Sequence, residues 1–268
     1  MSEADKTYCL LTETSSIEET RNPARQRHLP AQAALDWLKA GWRDMLVQPG
    51  LSVAYGGTVF AITVLLLWML VASGRDYILF PAIAGYMIVA PVLAIGLYEK
   101  SRALEAGEHP TLSTMLLVRP RAGAQVFFTG LLLCLLMLGW MRAAVLLYAL
   151  FFGVRPFPGL DGIISILFTT PMGWAMLIVG TLVGGLFAAF AFAVSVFSVP
   201  MLLDRRTDAL TAMGTSMAMV WNNLTPMVAW GAVVLALFAV SAVTGFLGFI
   251  VIFPLLGHAT WHAYRAIR

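Results

Sequence analysis

His258 and His262 stand four residues apart near the end of the chain. On a helix that spacing puts both imidazoles on one face, where they can hold a transition metal. They are the candidate metal ligands of this sequence. No third ligand is near in sequence, so His109 or Glu99 would have to approach in space; the plainer alternative is a pair of interfacial polar residues beside Trp261 and Tyr264. Asp204 and Asp208 also stand at i and i+4. A membrane transferase can use such a pair to hold Mg²⁺ and a diphosphate. Arg205 and Arg206 lie between them and compete as partners. The favoured reading is therefore the end of one span and the start of a surface helix. Glu99, Lys100, Arg102 and Glu105 read as a solvated face with local ion pairs.

Arg142 has apolar sequence on both sides. A charge at membrane depth is costly and often functional, whereas an arginine near an interface can snorkel to the headgroups. If buried it needs an anion. Asp161 is the nearer candidate by chain connectivity, and Asp76 is the other acidic residue on the same side. Gly180, Gly184 and Gly185, with Ala188, form a small-residue face suited to close helix packing, within the bundle or against a partner subunit. No GxGxxG, GxSxG, P-loop, HExxH or CxxC pattern occurs, so neither a catalytic residue nor a cofactor is expected. Cys9 sits in a polar segment and Cys134 in an apolar run, so no disulfide is expected.

The elements that carry these residues follow from composition. Of 268 residues, 60% are hydrophobic and 12% charged, with a mean hydropathy of +0.83. A soluble domain holds about 25% charged residues, so these values exclude a disordered chain and disfavour a soluble enzyme. They point to a polytopic all-α membrane protein. Residues 1–28 are polar and rich in Ser, Thr and Glu, and read as a flexible cytoplasmic tail ahead of a membrane domain over 29–268. The basic residues are scattered at span ends rather than gathered in a patch, which argues against nucleic acid as a partner.

A crossing needs about 20 apolar residues. Charge-free runs at 45–74, 77–98, 122–141, 162–203 and 209–264 predict six transmembrane helices, at about 51–73, 77–98, 122–142, 172–201, 225–243 and 245–263. Segments 143–153 and 162–170 are apolar but too short to cross, and are expected to lie on the outer interface or dip back in. With the N-terminus inside, fourteen Lys/Arg fall on the inner side and three (Arg75, Arg142, Arg155) on the outer. That bias places both termini in the cytoplasm.

An amphipathic stretch precedes each odd-numbered span. In 31–47, Leu35, Leu38, Trp42, Met45 and Leu46 recur at helical spacing; in 205–222, Leu210, Met213, Met217 and Val220 do the same; 110–118 is shorter. Leu38, Trp42, Met213 and Met217 are expected to be buried, with the helices parallel to the membrane. Pro49, Pro120 and Pro226 open the odd spans, and Pro91-Val-Leu, Pro200-Met-Leu and Pro254-Leu-Leu recur in the even ones. The pattern reads as a threefold repeat of surface helix plus hairpin.

The stretches GWRDMLVQPGLSVAYG (41–56), PVLAIGLYEKSRALEAGEHP (91–110), SVPMLLDRRTDA (198–209) and GHATWHAYR (257–265) resemble an uncharacterised family of bacterial predicted integral membrane proteins, domain of unknown function 2189, over roughly residues 33–265. The resemblance implies a multi-pass protein of the bacterial inner membrane and supplies no activity. The function expected from the residues is a non-enzymatic accessory or scaffold protein that binds a membrane complex or lipid, with a carrier or channel for a small solute as the alternative. The expected partners are the lipid bilayer and a membrane protein or a second copy of the chain.

Overall fold

The computed structural model describes residues 26–153 and 157–268, without the side chains of residues 160 and 161. The described residues are helical throughout, with no strand among them. In chain order the helices are α1 (Ala33–Leu46), α2 (Pro49–Ala72), a 3₁₀ turn at Asp76–Ile78, α3 (Leu79–Leu93), α4 (Ile95–Glu105), α5 (Leu112–Leu116), α6 (Gly123–Phe152), α7 (Gly159–Thr169), α8 (Pro171–Ser195), α9 (Ser198–Asp204), α10 (Ala209–Asn222), α11 (Leu224–Val243) and α12 (Phe249–Ile267).

Helix starts follow local chemistry. Pro49 and Pro171 open α2 and α8, where a missing N–H costs nothing. Thr170 accepts from the Gly173 N–H at 3.0 Å, and Asp208 accepts from the Thr211 N–H at 2.8 Å. Asp208 is therefore the N-cap of α10, at the start of the expected surface helix.

Two long helices are interrupted near one end. Pro91 has no N–H to give the preceding turn, and the helix breaks at Ala94 between α3 and α4. Leu97 N–H turns to Ala94 O at 2.9 Å. The Leu93 carbonyl so released accepts from Tyr55 Oη at 2.7 Å. Between α8 and α9, Ser216 of α10 inserts into the ladder. Its hydroxyl donates to Ala193 O at 2.7 Å and accepts from Phe197 N–H at 3.2 Å. Both breaks are thus closed by a hydroxyl from a neighbouring helix, which keeps buried backbone groups paired.

Among the described residues five segments are long and apolar enough to cross a membrane: Pro49–Ala72, Asp76–Glu105, Gly123–Phe152, Pro171–Asp204 and Leu224–Val243. The expected sixth, at 245–263, is not among them; there α12 forms the central post of the bundle, and its half from Phe253 to Tyr264 is almost wholly buried. Two glycines admit it: a Cβ on Gly41 of α1 would lie 2.5 Å from Ala259 N, and one on Gly56 of α2 would collide with the Ile250 carbonyl. The expected break after residue 142 is also absent. Helix α6 runs unbroken for 30 residues to Phe152, because nothing in 143–152 lacks an N–H or favours a turn. Residues 162–169 fall in the short helix α7, which packs on α8 and the 3₁₀ turn.

The three amphipathic stretches all form helices, α1, α5 and α10, and the sides they bury within the bundle are not the ones expected to face the membrane. In α1 the buried residues are Ala33, Ala34, Trp37, Gly41 and Met45. Trp42 is 44% exposed and Leu35 and Leu46 are exposed. In α10 Met217 is exposed, while Ala212, Ser216 and Met219 are buried. Helix α1 therefore has three faces: one against the bundle, one exposed and apolar, and one polar with Asp36, Lys39 and Arg43. Periodicity detects the boundary between apolar and polar, but not which part of a wide apolar arc meets protein.

Candidate functional site

Ser52 and Lys100 show how the helix order builds a buried site. Ser52 lies in the first turn of α2 and Lys100 one turn past the Ala94 break in α4. The break redirects α4, so a residue expected on a solvated face points inward, and Lys100 has no exposed surface. Its Nζ donates to Ser52 Oγ at 2.8 Å and to Gln48 O at 3.3 Å. Gln48 has a left-handed backbone, φ +52°, so the lysine fastens the corner between α1 and α2.

His258 of α12, also fully buried, continues the network. Its Nε2 is 2.9 Å from Ser52 Oγ, and its Nδ1 is 2.9 Å from Ser101 Oγ. Asp44 Oδ2 of α1 lies 2.9 Å from His262 Nε2, and the Ser101 hydroxyl is near enough to Asp44 to favour its carboxylate. Lysine can only donate and an ionised carboxylate can only accept. The chain therefore has one consistent sense. Lys100 donates to Ser52 and Ser52 to His258 Nε2; His258 Nδ1–H donates to Ser101, whose own hydrogen is then free to face Asp44, which also accepts from His262. A cation and an anion close the two ends, and His258 sits between them as a neutral ring. Burial pushes the Asp44 carboxyl up, but the hydrogen bonds from His262 and Ser101 outweigh it and hold the carboxyl below its usual value.

A second polar cluster ties the end of α12 to its neighbours. Asp204 accepts from Tyr264 Oη at 2.9 Å and from the Arg268 guanidinium. Glu105 accepts from Arg265 Nε at 3.0 Å and Trp261 Nε1 at 3.3 Å. Glu99 and Arg102 pair locally at 2.6 Å, as expected of that stretch. Arg27 joins the same end, donating from its backbone to Asn223 Oδ1 at 2.9 Å and from its side chain to Arg268 O at 2.8 Å. Residues 1–25 of the expected tail 1–28, with Cys9, lie outside the described residues.

The same contacts occupy several of the groups singled out by spacing. The imidazoles of His258 and His262 do not converge on a common point, because serines take both nitrogens of the first and Asp44 takes Nε2 of the second. Among the described residues no three His, Cys, Asp or Glu side chains gather to hold a metal. Asp204 and Asp208 are likewise separated, one paired with Arg268 and the other capping α10. Arg142 is exposed on α6 and forms no ion pair among the described residues, so Asp76 is not its partner. The Asp161 side chain lies outside the described residues. Of the small-residue face, Gly184 packs on Trp140, while nothing lies within contact of Gly180 or Gly185.

The helices also leave two apolar hollows. One of about 460 Å³ lies between α3, α8, α11 and α12, and its wall includes Thr181, Gly184, Gly185 and Ala188. The other, about 1220 Å³, separates α2 from α3 and α6 and has Arg75 and Ser73 in its wall. Sequence reasoning missed Ser52, Ser101, Lys100 as a buried group, and both hollows. The one available signal was a polar and a small residue on a shared helix face, Ser52 with Gly56.

No curated protein and no solved structure matches the chain. The segments 41–56 and 257–265, which also carried the resemblance, fall outside the region that a family model covers. Residues 79–204, from α3 through α9, match the model of a family described as predicted integral membrane protein (DUF2189).

Proposed function

We propose that this protein is a non-enzymatic accessory protein of the bacterial inner membrane that holds a lipid between its helices. The observation that carries the reading is the hollow of about 460 Å³ among four helices. Its wall is almost wholly apolar, and Thr181, Gly185 and Ala188 on its rim are themselves exposed. That volume lies in the range of about 300–1,000 Å³ found for ligand sites. The Lys100 to Asp44 network supports it from below by fixing α1, α2, α4 and α12 to one another.

Six crossings with both termini cytoplasmic fit this reading. The lysine and arginine bias supports that topology, and α12 would be the crossing shielded from lipid by its neighbours. A short helix followed by two longer segments recurs from α1, from α5 (with α7 inserted between the two) and from α10, in keeping with a threefold repeat. A carrier for a small solute is the second reading, favoured by the breaks at Ala94 and Val196, where interrupted helices meet a hollow.

Lipid analysis of the protein purified in mild detergent tests the proposal. About one tightly held lipid per chain is expected, and Ala188→Trp, which fills the rim of the hollow, is expected to lose it. A parent protein stripped of all lipid under the same conditions would count against the reading. Reporter fusions after residues 110 and 208 are expected to report cytoplasm, and an external signal after 208 would overturn the six-crossing topology.

A further inference from the structure

Two loops far apart in sequence meet at one end of the bundle. Residues 117–122 lead from α5 into α6, and residues 205–208 lead from α9 into α10. The Ala122 N–H donates to Leu202 O at 3.2 Å, and the Ala209 N–H donates to Gln125 Oε1 at 3.0 Å. The first loop carries Arg119 and Arg121, the second Arg205 and Arg206, and all four are exposed. Scattered in sequence, they are gathered by the fold. Arg119, Arg121 and Arg206 have no ion pair among the described residues, and Arg205 has only Asp204 at 3.7 Å. Asp204 is already held by Tyr264 and Arg268, and Asp208 by the N-terminus of α10. Glu99 and Glu105 are taken by Arg102 and Arg265. Glu108, in the loop before α5, has no ion pair among the described residues, one charge against four. Apolar side chains flank the arginines: Leu117, Phe127 and Leu210 are 76%, 78% and 65% exposed. Val118, Pro120 and Gly123 form one end of the 1220 Å³ hollow between α2, α3 and α6. Arg75 stands at its other end. Trp140 Nε1 donates to Pro81 O at 2.9 Å, which sets the start of α3 about 26 Å along α6 from Gly123.

We infer that this end of the bundle binds an anionic phospholipid of the adjoining leaflet, its phosphate taken by the arginines of the two loops and one acyl chain laid in the 1220 Å³ hollow. The site is separate from the 460 Å³ hollow, since only Tyr86 borders both. A guanidinium holds phosphate oxygens in a two-pronged hydrogen bond, which suits arginine to such a head. The head must be anionic, because the fold brings four cations together without enough carboxylates to neutralise them. The flanking residues decide between a lipid and a soluble polyanion. Leu117, Phe127 and Leu210 would be bare in water and are solvated by acyl chains, and the apolar hollow begins between the arginines. At the far end Arg75 is the single cation of the wall, and Asp76 follows it in the chain, so the excess of positive charge lies at the loop end.

The test is calorimetric titration of the full chain in detergent with four probes: dioctanoyl phosphatidylglycerol, dioctanoyl phosphatidylcholine, glycerol 3-phosphate and heparin. Phosphatidylglycerol is expected to bind, and the other three at least tenfold more weakly. An arginine near an anionic head contributes about fivefold in affinity. Arg119→Gln with Arg121→Gln should therefore weaken phosphatidylglycerol about 25-fold, and Arg205→Gln with Arg206→Gln should do the same. All four side chains are exposed, so the thermal midpoint should stay with the parent. Arg75→Gln, at the opposite end of the hollow, should change binding less than twofold. Equal binding of phosphatidylglycerol and phosphatidylcholine, or unchanged binding in both double variants, would overturn the inference. Loss in Arg75→Gln instead would place the head at the wrong end and overturn it as well. Glycerol 3-phosphate or heparin binding as tightly as the lipid would show that a soluble anion is the partner. Ala188→Trp should leave phosphatidylglycerol binding unchanged, which separates this site from the lipid proposed for the 460 Å³ hollow; loss of binding there would overturn the assignment to the loop end.

Discussion

Ser52→Ala removes one oxygen from the middle of the buried network and leaves two partners short. Lys100 Nζ keeps only the Gln48 carbonyl at 3.3 Å, and His258 Nε2 loses its sole partner. Both side chains are fully buried, so water cannot substitute. A buried group left unmet costs about 1–3 kcal/mol, more when charged. The two together predict a loss of about 3 kcal/mol, or about 6–12 °C in thermal midpoint for a chain of this size. Lys100→Met alone should cost less, about 0–2 kcal/mol, because an apolar side chain of similar length also removes the burden of burying the charge. In the Lys100→Met background Ser52→Ala then orphans only His258, and its cost should shrink by at least about 1 kcal/mol. The assay is thermal unfolding of the four proteins in one mild detergent. Ser52→Ala within 0.5 °C of the parent, or strict additivity of the two changes, would refute the reasoning.

Three further outcomes follow from the packing. The folded Asp44 carboxyl titrates below its unfolded value of about 3.9, so its stabilisation is whole above about pH 4 and is lost as pH falls through the folded value; Asp44→Asn should flatten that acid limb of the midpoint against pH. Gly41→Ala should destabilise by about 1–3 kcal/mol, because the new methyl meets the Ala259 backbone and forces α1 off α12, and thermal unfolding reads it directly. Ser216→Ala should cost about 1–2 kcal/mol and speed amide exchange at Phe197, since the Phe197 N–H and the Ala193 carbonyl both lose their partner at the break.

Much of the architecture was legible because membrane helices announce themselves by length and by absence of charge. Span starts at Pro49 and Pro171, the Asp208 cap and the three short helices all follow from local chemistry. What stayed hidden depends on rotation about a helix axis. Lys100 looks like its neighbours Glu99 and Arg102 in sequence, and only the break at Ala94 turns it inward. His258 and His262 share a helix face by spacing, but the serines and Asp44 that claim them come from α2, α4 and α1, which no local pattern links. Trp42 and Trp37 are both apolar residues of an amphipathic helix, and only the bundle decides that Trp37 is the buried one. The continuation of α6 past Arg142 was concealed by the assumption that a helix ends where the bilayer does.

The central claim, that a lipid is held inside the bundle rather than merely around it, is tested most directly by photocrosslinking. Membranes containing a lipid with a diazirine in its acyl chain would be irradiated, and the labelled peptides mapped by mass spectrometry. The account predicts labels on wall residues of the hollow that are shielded from the bulk bilayer, such as Ala191 and Phe253, and their loss in Ala188→Trp. Labels confined to outward-facing residues such as Leu146, Leu150 and Leu182, unchanged in that variant, would contradict it.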